Sequence, residues 1–513
     1  DSSKTQEYNA FSKQTITLIS PNPVRTGYTF KGWNTMSDGS GQGNLTGKIY
    51  SDIFGKEDGW LYAIWEIKQF KITTSTANAH GTITESMTVD WGSTATVEMK
   101  PNEGYRVSTY KVDGGNAITS TVQAGNSDYY TFRNVTADHA ISVTFAPITY
   151  TIRYNGNGAT SGATASSTHT YDAAKKLTAN GFSRTGYTFA GWATSANGNI
   201  VYKNEESVTN LSAKQSDIVD LYAVWTANTY VMTLDENNRS NLKTKNVVYD
   251  QPYGTFDVPS KTGYTYVGWR VGKRLIDEKT FNGSSDYVNL GRTYMYTDRI
   301  TVMARAYMDD WTQYKNGMRI ISCTEGGGWN LEQGGDYLQF AIYDSGVGYK
   351  VAKSNISFAN LASGWHTFVA NFDGEYARLY IDGIGVGKSA KFSSGKIGYH
   401  ASNSILVGAE AGSSSSPAGS YFKGKISYVS IFNSSNYYTK DTISSAKCPA
   451  YNTVAVAHWT PNTYSITFQA DGASIYEKYW NYAGSTGYTS SNAGSYSKYT
   501  LADSRKSPTY ANA

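Results

Sequence analysis

The residue types that could do chemistry in this 513-residue chain are most concentrated in one segment, residues 330–343. Aromatic faces combined with planar polar groups on an exposed sheet are suited to binding sugars. Apolar residues alternate with polar and aromatic ones here, which predicts a strand whose Leu338, Phe340 and Ile342 face a core. The opposite face, extended by the preceding strand, supplies five candidate ligand-binding residues: Asn330, Glu332, Tyr337, Gln339 and Tyr343. The alternative is an ordinary solvent-exposed sheet face, which the same pattern also fits.

The rest of the sequence offers no catalytic motif. Its six histidines form neither a His-x-x-x-His nor a His-Glu-x-x-His pair, so zinc hydrolysis lacks its ligands. These histidines are His80, His139, His169, His366, His400 and His458. No Gly-x-Ser-x-Gly elbow and no phosphate-binding Gly-x-x-x-x-Gly-Lys-Ser/Thr loop occurs. We therefore predict a protein that is not an enzyme.

A phrase that ends in Gly-Trp occurs three times, at 25–33, 184–192 and 261–269. Two copies are followed by a closing strand that ends in tryptophan, Leu-Tyr-Ala-x-Trp, at 61–65 and 221–225. The third closing strand comes much later in the chain. It ends at Trp459 and shares the Thr-x-Asn-Thr-Tyr continuation of the second. We predict a repeat array whose third copy carries an inserted domain, because loops of folded modules tolerate insertion.

The phrase and its closing strand resemble the internalin-type B repeat, or Listeria-Bacteroides repeat, a small β-grasp-like module of bacterial surface proteins. The resemblance covers residues 1–66, residues 148–226, and residues 227–277 with 441–463 as a split third repeat. We expect the repeated aromatic residues to pack in cores rather than to bind a ligand.

Residues 67–147 follow another pattern, which includes Gly81-Thr-Ile-Thr and Pro101-Asn-Glu-Gly-Tyr. This segment resembles the divergent bacterial repeat that accompanies B repeats, and the resemblance implies a small all-β module. Six apolar or aromatic residues at strand spacing are expected to form its core: Tyr105, Val107, Phe132, Ile141, Val143 and Phe145.

The insert, residues 278–440, contains Phe281-Asn-Gly-Ser-Ser-Asp-Tyr, Gly364-Trp-His-Thr-Phe, Leu379-Tyr-Ile-Asp-Gly and Phe422-Lys-Gly-Lys-Ile-Ser in that order. These phrases resemble the laminin G-like, concanavalin A-like family, which implies a jelly-roll β-sandwich. Glycan-cleaving members of that superfamily carry an acid-x-Asp-x-x-acid spacing that places two carboxylates across the bond to be cut. The insert has no such run, so the resemblance favours binding over hydrolysis.

Calcium is common in that family, and the resemblance makes it a candidate cofactor. No Asp/Asn-rich loop in the insert has recognisable calcium-ligand spacing. The candidate metal ligands are Asp286, Asp336 and Glu410.

The chain contains two cysteines, Cys323 in an early strand of the insert and Cys448 just before the third closing strand. A disulfide between them would fasten the insert to its host repeat, and an even number of cysteines in an oxidising exterior favours it. The alternative is two separate thiols, with Cys323 buried as a small apolar side chain. We expect the disulfide.

The ends of the sequence fall inside repeats. The stretch from Tyr150 to Gly186 in the second repeat is longer than the part of the chain that precedes Gly27, so the first repeat is expected to lack its first strand. Residues 464–513 resemble the start of a further repeat, which suggests a window on a longer protein. The missing strand is expected upstream in the same chain. The alternative is a strand from another copy, which would pair with the open edge and build filaments.

Composition sets the remaining limits. Abundant glycine, tyrosine, threonine and tryptophan favour short strands, so the fold class is mostly β: small β-grasp-like and all-β repeats plus an inserted jelly-roll sandwich. The net charge of +4 is small and its basic residues are scattered, which argues against nucleic-acid binding. No apolar run approaches the ~20 residues that a membrane helix needs.

Together these features predict a non-enzymatic, extracellular protein of the bacterial cell surface. Its repeats would form an adhesin-like stalk that displays the lectin-like insert toward a glycan or a surface protein. Two alternatives remain at this stage: the accessory region of a larger extracellular enzyme that degrades glycans or cell walls, and a structural filament or phage appendage subunit.

Overall fold

The computed structural model describes residues 4–8, 13–313, 317–324, 326–412, 417–434, 437–464, 476–480, 486–490 and 499–500. About half of the chain is strand and 3% is helix, so the mostly-β prediction is confirmed. The chain divides into two compact units, residues 1–184 with 189–225 and residues 185–188 with 226–513. No helix in the described ranges is both long and apolar enough to cross a membrane.

Three elements lie in the described part of the first repeat: β1 (Tyr28–Asn34), α1 (Tyr50–Phe54) and β2 (Tyr62–Ile67). Strand β1 pairs antiparallel with β2, and Trp33 lies opposite Ala63. These two strands form a two-stranded sheet among the described residues, whereas the second repeat has four strands in the corresponding sheet.

The divergent repeat contains eight strands: β3 (Gln69–Thr76), β4 (Gly81–Ile83), β5 (Met87–Asp90), β6 (Ala95–Pro101), β7 (Tyr105–Val112), β8 (Ile118–Thr119), β9 (Asp128–Phe132) and β10 (His139–Pro147). They form a five-stranded sheet in the order β5-β3-β10-β7-β8 and a three-stranded sheet β4-β6-β9. Val107, Phe132, Ile141, Val143 and Phe145 share one core as expected. Tyr105 is buried outside that cluster, where its ring stacks on His80.

The second repeat contains eight strands: β11 (Thr149–Asn155), β12 (Ser161–Gly162), β13 (Ser167–Thr170), β14 (Lys175–Lys176), β15 (Phe182–Ser183), β16 (Tyr187–Ala193), β17 (Ser207–Val208) and β18 (Ile218–Ala227). The main sheet has the order β13-β11-β18-β16, and β11 pairs parallel with β18. Trp192, Leu221 and Ala223 are fully buried in its core, and Phe189 and Trp225 pack against them. The repeated aromatic residues therefore hold the module together.

The third repeat opens with three strands: β19 (Thr229–Asp235), β20 (Lys243–Val248) and β21 (Tyr264–Lys273). Strand β21 ends at Lys273, and the chain then continues into the sandwich.

The described residues of the sandwich form fourteen strands: β22 (Lys279–Asn282), β23 (Val288–Gly291), β24 (Ile300–Met308), β25 (Arg319–Thr324), β26 (Gly328–Gly334), β27 (Tyr337–Asp344), β28 (Gly348–Ser357), β29 (Gly364–Phe372), β30 (Ala377–Ile381), β31 (Ile384–Lys388), β32 (Ile405–Val407), β33 (Glu410–Ala411), β34 (Pro417–Gly419) and β35 (Lys423–Phe432). Two 3-10 helices, Trp311–Gln313 and Phe358–Asn360, interrupt them. Sheet A has the order β22-β35-β24-β29-β30-β31, and sheet B has the order β23-β32-β25-β26-β27-β28. The core between them contains Trp329, Phe340 and Phe368, all fully buried.

The third repeat is completed after the sandwich by β36 (Tyr438–Thr439), α2 (Lys440–Ile443) and β37 (Thr453–Pro461). Strand β37 lies between β19, to which it is parallel, and β21, to which it is antiparallel. Trp269 and Trp459 therefore share one core although the whole sandwich separates them along the chain. Strand β36, assigned to the insert from the sequence, instead pairs with β21 at Gly268 and Trp269.

The sandwich and the third repeat pack directly on each other. Val454 and Val456 of β37 join Met303, Val369 and Tyr428 of sheet A in one buried apolar cluster. After β37 the described strands are β38 (Thr463–Tyr464), β39 (Tyr476–Trp480), β40 (Thr486–Ser490) and β41 (Tyr499–Thr500). Most of the further repeat expected in residues 464–513 lies outside the described residues.

Candidate ligand-binding face of the sandwich

The candidate residues lie on β26 and β27 of sheet B, on the side away from the sandwich core. Leu338, Phe340 and Ile342 are fully buried in the core, as the alternation predicts. Tyr337, Gln339 and Tyr343 alternate with them and are partly exposed. Glu332 lies opposite Gln339, and Asn330 opposite Ala341, in the antiparallel register of β26 and β27. The five candidates thus share one sheet face.

Glu332 is the centre of a polar network on this face. Its Oε2 atom pairs with Nη1 of Arg319 at 2.5 Å and accepts a hydrogen bond from Nδ2 of Asn330 at 3.0 Å. Its Oε1 atom accepts a hydrogen bond from Nε2 of Gln339 at 2.6 Å. The second guanidinium Nη atom of Arg319 pairs with Glu410 at 2.8 Å. Arg319 therefore forms ion pairs with two carboxylates, and one of these, Glu332, orients the side-chain amides of Asn330 and Gln339.

Burial has the largest effect on the pKa of Glu332. It raises this pKa above its ordinary value, and the neighbouring Arg319 guanidinium only partly opposes the increase. Three polar atoms of this region are buried without a hydrogen-bond partner among the described residues: Asn330 Oδ1, Arg319 Nε and Thr324 Oγ1. Buried polar atoms are normally satisfied, so these three atoms leave unused hydrogen-bonding capacity beneath the face.

Aromatic rings flank the polar network. Tyr343 lies opposite Tyr349 of β28, and their rings meet edge to face with centroids 5.2 Å apart. At the other end Lys353 places its ammonium group 4.8 Å from the centre of the Tyr337 ring. Ala341 lies between Tyr337 and Tyr343 on β27. Its side chain is a single methyl group, so it projects less from the sheet than the two tyrosine rings do.

Two of the candidates differ from the sequence-based expectation. Asn330 and Glu332 are only 5% and 8% exposed, so they support the face from below rather than contact a ligand directly. The segment around Glu410 crosses this region, and the hydroxyl of Ser322 bonds both the carbonyl of Ala409 and the amide of Ala411. That crossing, with Arg319, covers the two side chains.

Three residues of the face were missed by sequence reasoning: Arg319, Tyr349 and Lys353. Arg319 had a usable signal, because it is the only charged residue of the strand Arg319–Thr324. Tyr349 and Lys353 follow from the alternation of β28, whose outward positions are exposed. The strand pairing that places them beside Tyr343 and Gln339 could not be read from spacing alone.

The three candidate metal ligands are not brought together. Both carboxylate oxygens of Glu410 are used, one by Arg319 and the other by the hydroxyl of Ser420 at 2.8 Å. Asp286 accepts a hydrogen bond from the Asn282 amide, and Asp336 lies in the turn between β26 and β27. In the described ranges no group of three His, Cys, Asp or Glu side chains could hold a metal ion. Asp286, Asp336 and Glu410 therefore remain separate candidates that the described structure does not combine into one site.

The expected disulfide is wrong. Cys323 and Cys448 are both buried free thiols. Cys323 lies in the core between sheets A and B, whereas Cys448 lies in the core of the third repeat. Because the third repeat packs on the outer side of sheet A, that sheet separates the two sulfur atoms.

Comparison with known families identifies the modules. Residues 282–436 match the family model of the concanavalin A-like lectin/glucanases superfamily. Residues 1–64, 150–224 and 230–305 match the Listeria-Bacteroides repeat domain, and residues 72–149 match the divergent InlB B-repeat domain. The chain is thus a modular β-repeat protein. Its modules are Listeria-Bacteroides repeats, a divergent InlB B-repeat and one concanavalin A-like domain, which confirms the resemblance.

The third repeat match ends at residue 305, inside the sandwich strand β24. In the structure the repeat is completed instead by β37, after the sandwich. The third repeat is therefore discontinuous in sequence, and the last part of the matched range, up to residue 305, belongs to the inserted sandwich.

Individual relatives are distant. A protein of Evansella cellulosilytica named "Putative Gly-rich membrane protein" is 25% identical over 287 residues, which are 53% of this chain and 31% of that protein. The chain thus spans about a third of that relative. Among solved structures, domain 4 of the extracellular GH43 arabinanase AbnA from Geobacillus stearothermophilus, in complex with arabinotriose, is 13% identical. It has a TM-score of 0.25 and covers 42% of this chain and 87% of its own. The CBM40 of the Ruminococcus gnavus IT-sialidase, bound to α2,3-sialyllactose, is 12% identical, has a TM-score of 0.24, and covers 33% of this chain and 98% of its own.

Proposed function

We propose that this chain is a non-enzymatic protein of the bacterial cell surface whose sandwich binds a glycan on the outer face of β26, β27 and β28. The observation that carries the proposal is the position of Gln339. Its side chain is held by Glu332 at 2.6 Å on a face flanked by Tyr337 and Tyr343. A fixed amide between aromatic rings is the combination that a sugar ring requires, since the rings contact its C–H groups and the amide its hydroxyls.

The support beneath this face favours a rigid site. Arg319 ties Glu332 to Glu410, so the carboxylate that orients Gln339 is itself fixed. Buried polar networks of this kind hold one geometry, which lowers the entropy lost when a ligand binds.

The charges of the face indicate the class of glycan. Two carboxylates, Glu332 and Glu410, are matched by two basic groups, Arg319 and Lys353. A face with balanced charge gives no net attraction to acidic or basic ligands, so we propose a neutral glycan.

Binding rather than cleavage is supported by the same contacts. Glycoside hydrolysis uses two carboxylates that flank the bond to be cut, one of them free to donate a proton. Here Glu332 and Glu410 are both tied to the guanidinium of Arg319, with N–O distances of 2.5 and 2.8 Å. These ion pairs support binding rather than cleavage, because neither carboxylate is left unpaired to act as an acid.

The surrounding modules support a display role. Listeria-Bacteroides repeats and a lectin-like domain fit a surface carbohydrate-binding protein, and the Evansella relative is named as a membrane protein. We propose that the repeats act as an adhesin-like stalk and place the sandwich outside the cell, toward glycans of a cell or matrix surface.

A glycan array probed with the full 513-residue chain tests the proposal. We expect binding to neutral oligosaccharides, and at least tenfold weaker binding for Tyr343→Ala and Gln339→Ala. Tyr129→Ala is the matched control, because Tyr129 is an exposed tyrosine of the divergent repeat. Binding that is absent, or that both sandwich variants retain in full, would contradict the proposal.

A further inference from the structure

Two arginines are buried between the third repeat and sheet A, and they differ in one respect. Arg305 of sheet A pairs with the carboxylate of Asp235, and its second Nη atom donates to the carbonyl of Ser240 at 2.8 Å. Arg270 of β21 is also buried, at 5% exposed, but no carboxylate among the described residues pairs with it. No hydrogen bond or ion pair joins its guanidinium to any residue that the structure describes, and its Nε atom is fully buried without an acceptor.

Aromatic side chains form the walls around Arg270. The rings of Tyr380 in sheet A and Tyr437 each lie with their centres 5.6 Å from Cζ of Arg270. The imidazole of His458 lies 4.7 Å from the Tyr437 ring and 5.9 Å from the Tyr380 ring. The Tyr437 side chain is 39% exposed, so the cluster reaches the protein surface at this point.

The charge of this cluster is not compensated by the described residues. Burial lowers the pKa of Arg270, which shows that its surroundings disfavour the cation. Cation–π contacts with two tyrosines recover only part of the hydration that a buried guanidinium loses. Burial together with the neighbouring Arg270 also holds the pKa of His458 low, so the imidazole is neutral at physiological pH and adds no negative charge.

We propose that Arg270 is the anchor of an oxyanion-binding site, in which a carboxylate or phosphate group is gripped by the guanidinium and enclosed by Tyr380, Tyr437 and His458. Arginine is suited to this role because its planar fork can donate two parallel hydrogen bonds to such a group. The site lies against the outer side of sheet A, whereas the candidate glycan face lies on sheet B. It is therefore a second site, independent of the proposed function.

Thermal melting of the full chain at constant ionic strength, with chloride replaced in steps, tests this proposal. Sodium acetate and sodium phosphate are the two probes, and they separate a carboxylate from a phosphate ligand. We expect at least one of them to raise the Tm of the wild-type chain in a saturable way, by roughly 2 °C or more, because a ligand that binds only the folded state stabilises it.

Three variants complete the experiment. Arg270→Met should lose the anion-dependent rise, and Arg270→Lys should weaken it, because an ammonium group cannot form the two-point contact. Arg299→Met, which removes an exposed arginine of the sandwich, should keep the full rise. If neither anion gives a saturable rise with the wild-type chain, or if Arg270→Met shows the same rise, the proposal is wrong. Isothermal titration of the wild-type chain with the stabilising anion should report the same affinity as the melting curves.

Discussion

Asp235 of the third repeat and Arg305 of the sandwich face each other across the interface between the two modules, with 3.2 Å between Oδ1 and Nη1. Their side chains are 1% and 4% exposed. The Asp235 carboxylate also accepts hydrogen bonds from the hydroxyls of Thr367 at 2.7 Å and Tyr428 at 2.6 Å. A single carboxylate of the third repeat thus pairs with one charged group of the sandwich and accepts two hydrogen bonds from it.

Removal of this carboxylate is expected to destabilise the fused modules strongly. Asp235→Ala leaves the Arg305 charge buried and unpaired, so we expect a loss of about 3–5 kcal/mol in the free energy of unfolding. The double variant Asp235→Leu with Arg305→Met removes both charges and should recover much of that loss. Urea denaturation measures both, and a double variant no more stable than Asp235→Ala would contradict this account of the pair.

The tryptophan core of the split repeat gives a second expectation. Trp459 is buried beside Trp269, and its indole Nε1 donates to the carbonyl of Glu236 at 2.9 Å. Trp459→Ala should cost about 3–5 kcal/mol, as large-to-small core substitutions of aromatic residues do. Trp60→Ala is the matched control, because Trp60 is 69% exposed and its loss should change stability by about 0.5 kcal/mol or less. Equal effects of the two substitutions in chemical denaturation would be evidence against a shared core.

The cysteines can be counted directly. Burial raises the pKa of the Cys323 thiol to about 12 and raises that of Cys448 as well, so neither forms a reactive thiolate at neutral pH. We expect no labelling by a thiol reagent in the folded chain and two labelled cysteines per chain after denaturation without a reductant. Mass spectrometry of the labelled protein provides the count, and a denatured chain without reactive thiols would restore the disulfide.

His458 is expected to make stability depend on pH. Burial, assisted by the neighbouring Arg270, lowers its pKa to about 3, whereas a histidine in an unfolded chain titrates near 6.5. Between pH 6.5 and pH 3 the unfolded chain binds a proton at His458 that the folded chain does not bind. The contribution of His458 to the free energy of unfolding is therefore fully present above pH 6.5 and decreases as pH falls toward 3. At pH 5 the loss should be roughly 2 kcal/mol.

The variant His458→Phe isolates this contribution. Its free energy of unfolding should fall less than that of the wild-type chain between pH 7 and pH 5, measured by urea denaturation at each pH. His400→Gln, which changes an exposed histidine, should follow the wild-type dependence. The interpretation fails if His458→Phe loses as much stability as the wild-type chain.

The placement of β37 shows what a repeated sequence can predict. Trp459 is followed by Thr-Pro-Asn-Thr-Tyr, and Trp225 is followed by the similar sequence Thr-Ala-Asn-Thr-Tyr. This similarity identified the strand of Trp459 as the closing strand for Trp269, although the sandwich separates them in sequence. Packing of a repeat core depends on residue types that recur, and recurrence is visible in one sequence.

The ion pairs of Arg319 with Glu332 and Glu410 could not be predicted from the sequence. Alternation placed Asn330 and Glu332 on the correct side of sheet B, but it could not show that Arg319 and the segment around Glu410 would cover them. A period of two residues reports which face a side chain occupies, whereas burial on that face depends on distant segments. The distance between Cys323 and Cys448 was hidden for the same reason.

The parallel pairing of β19 with β37 determines how the third repeat would respond to mechanical tension. Because Met232 pairs with Thr453 and Asp235 with Val456, a pull between Thr229 and Pro461 loads all these hydrogen bonds together in shear. The chain leaves the third repeat after Lys273 and returns to it at β36, so the whole sandwich lies outside the pairing of β19 with β37. A pull between these two ends therefore passes from β19 to β37 directly, and the candidate ligand-binding face on sheet B lies outside the path of the force.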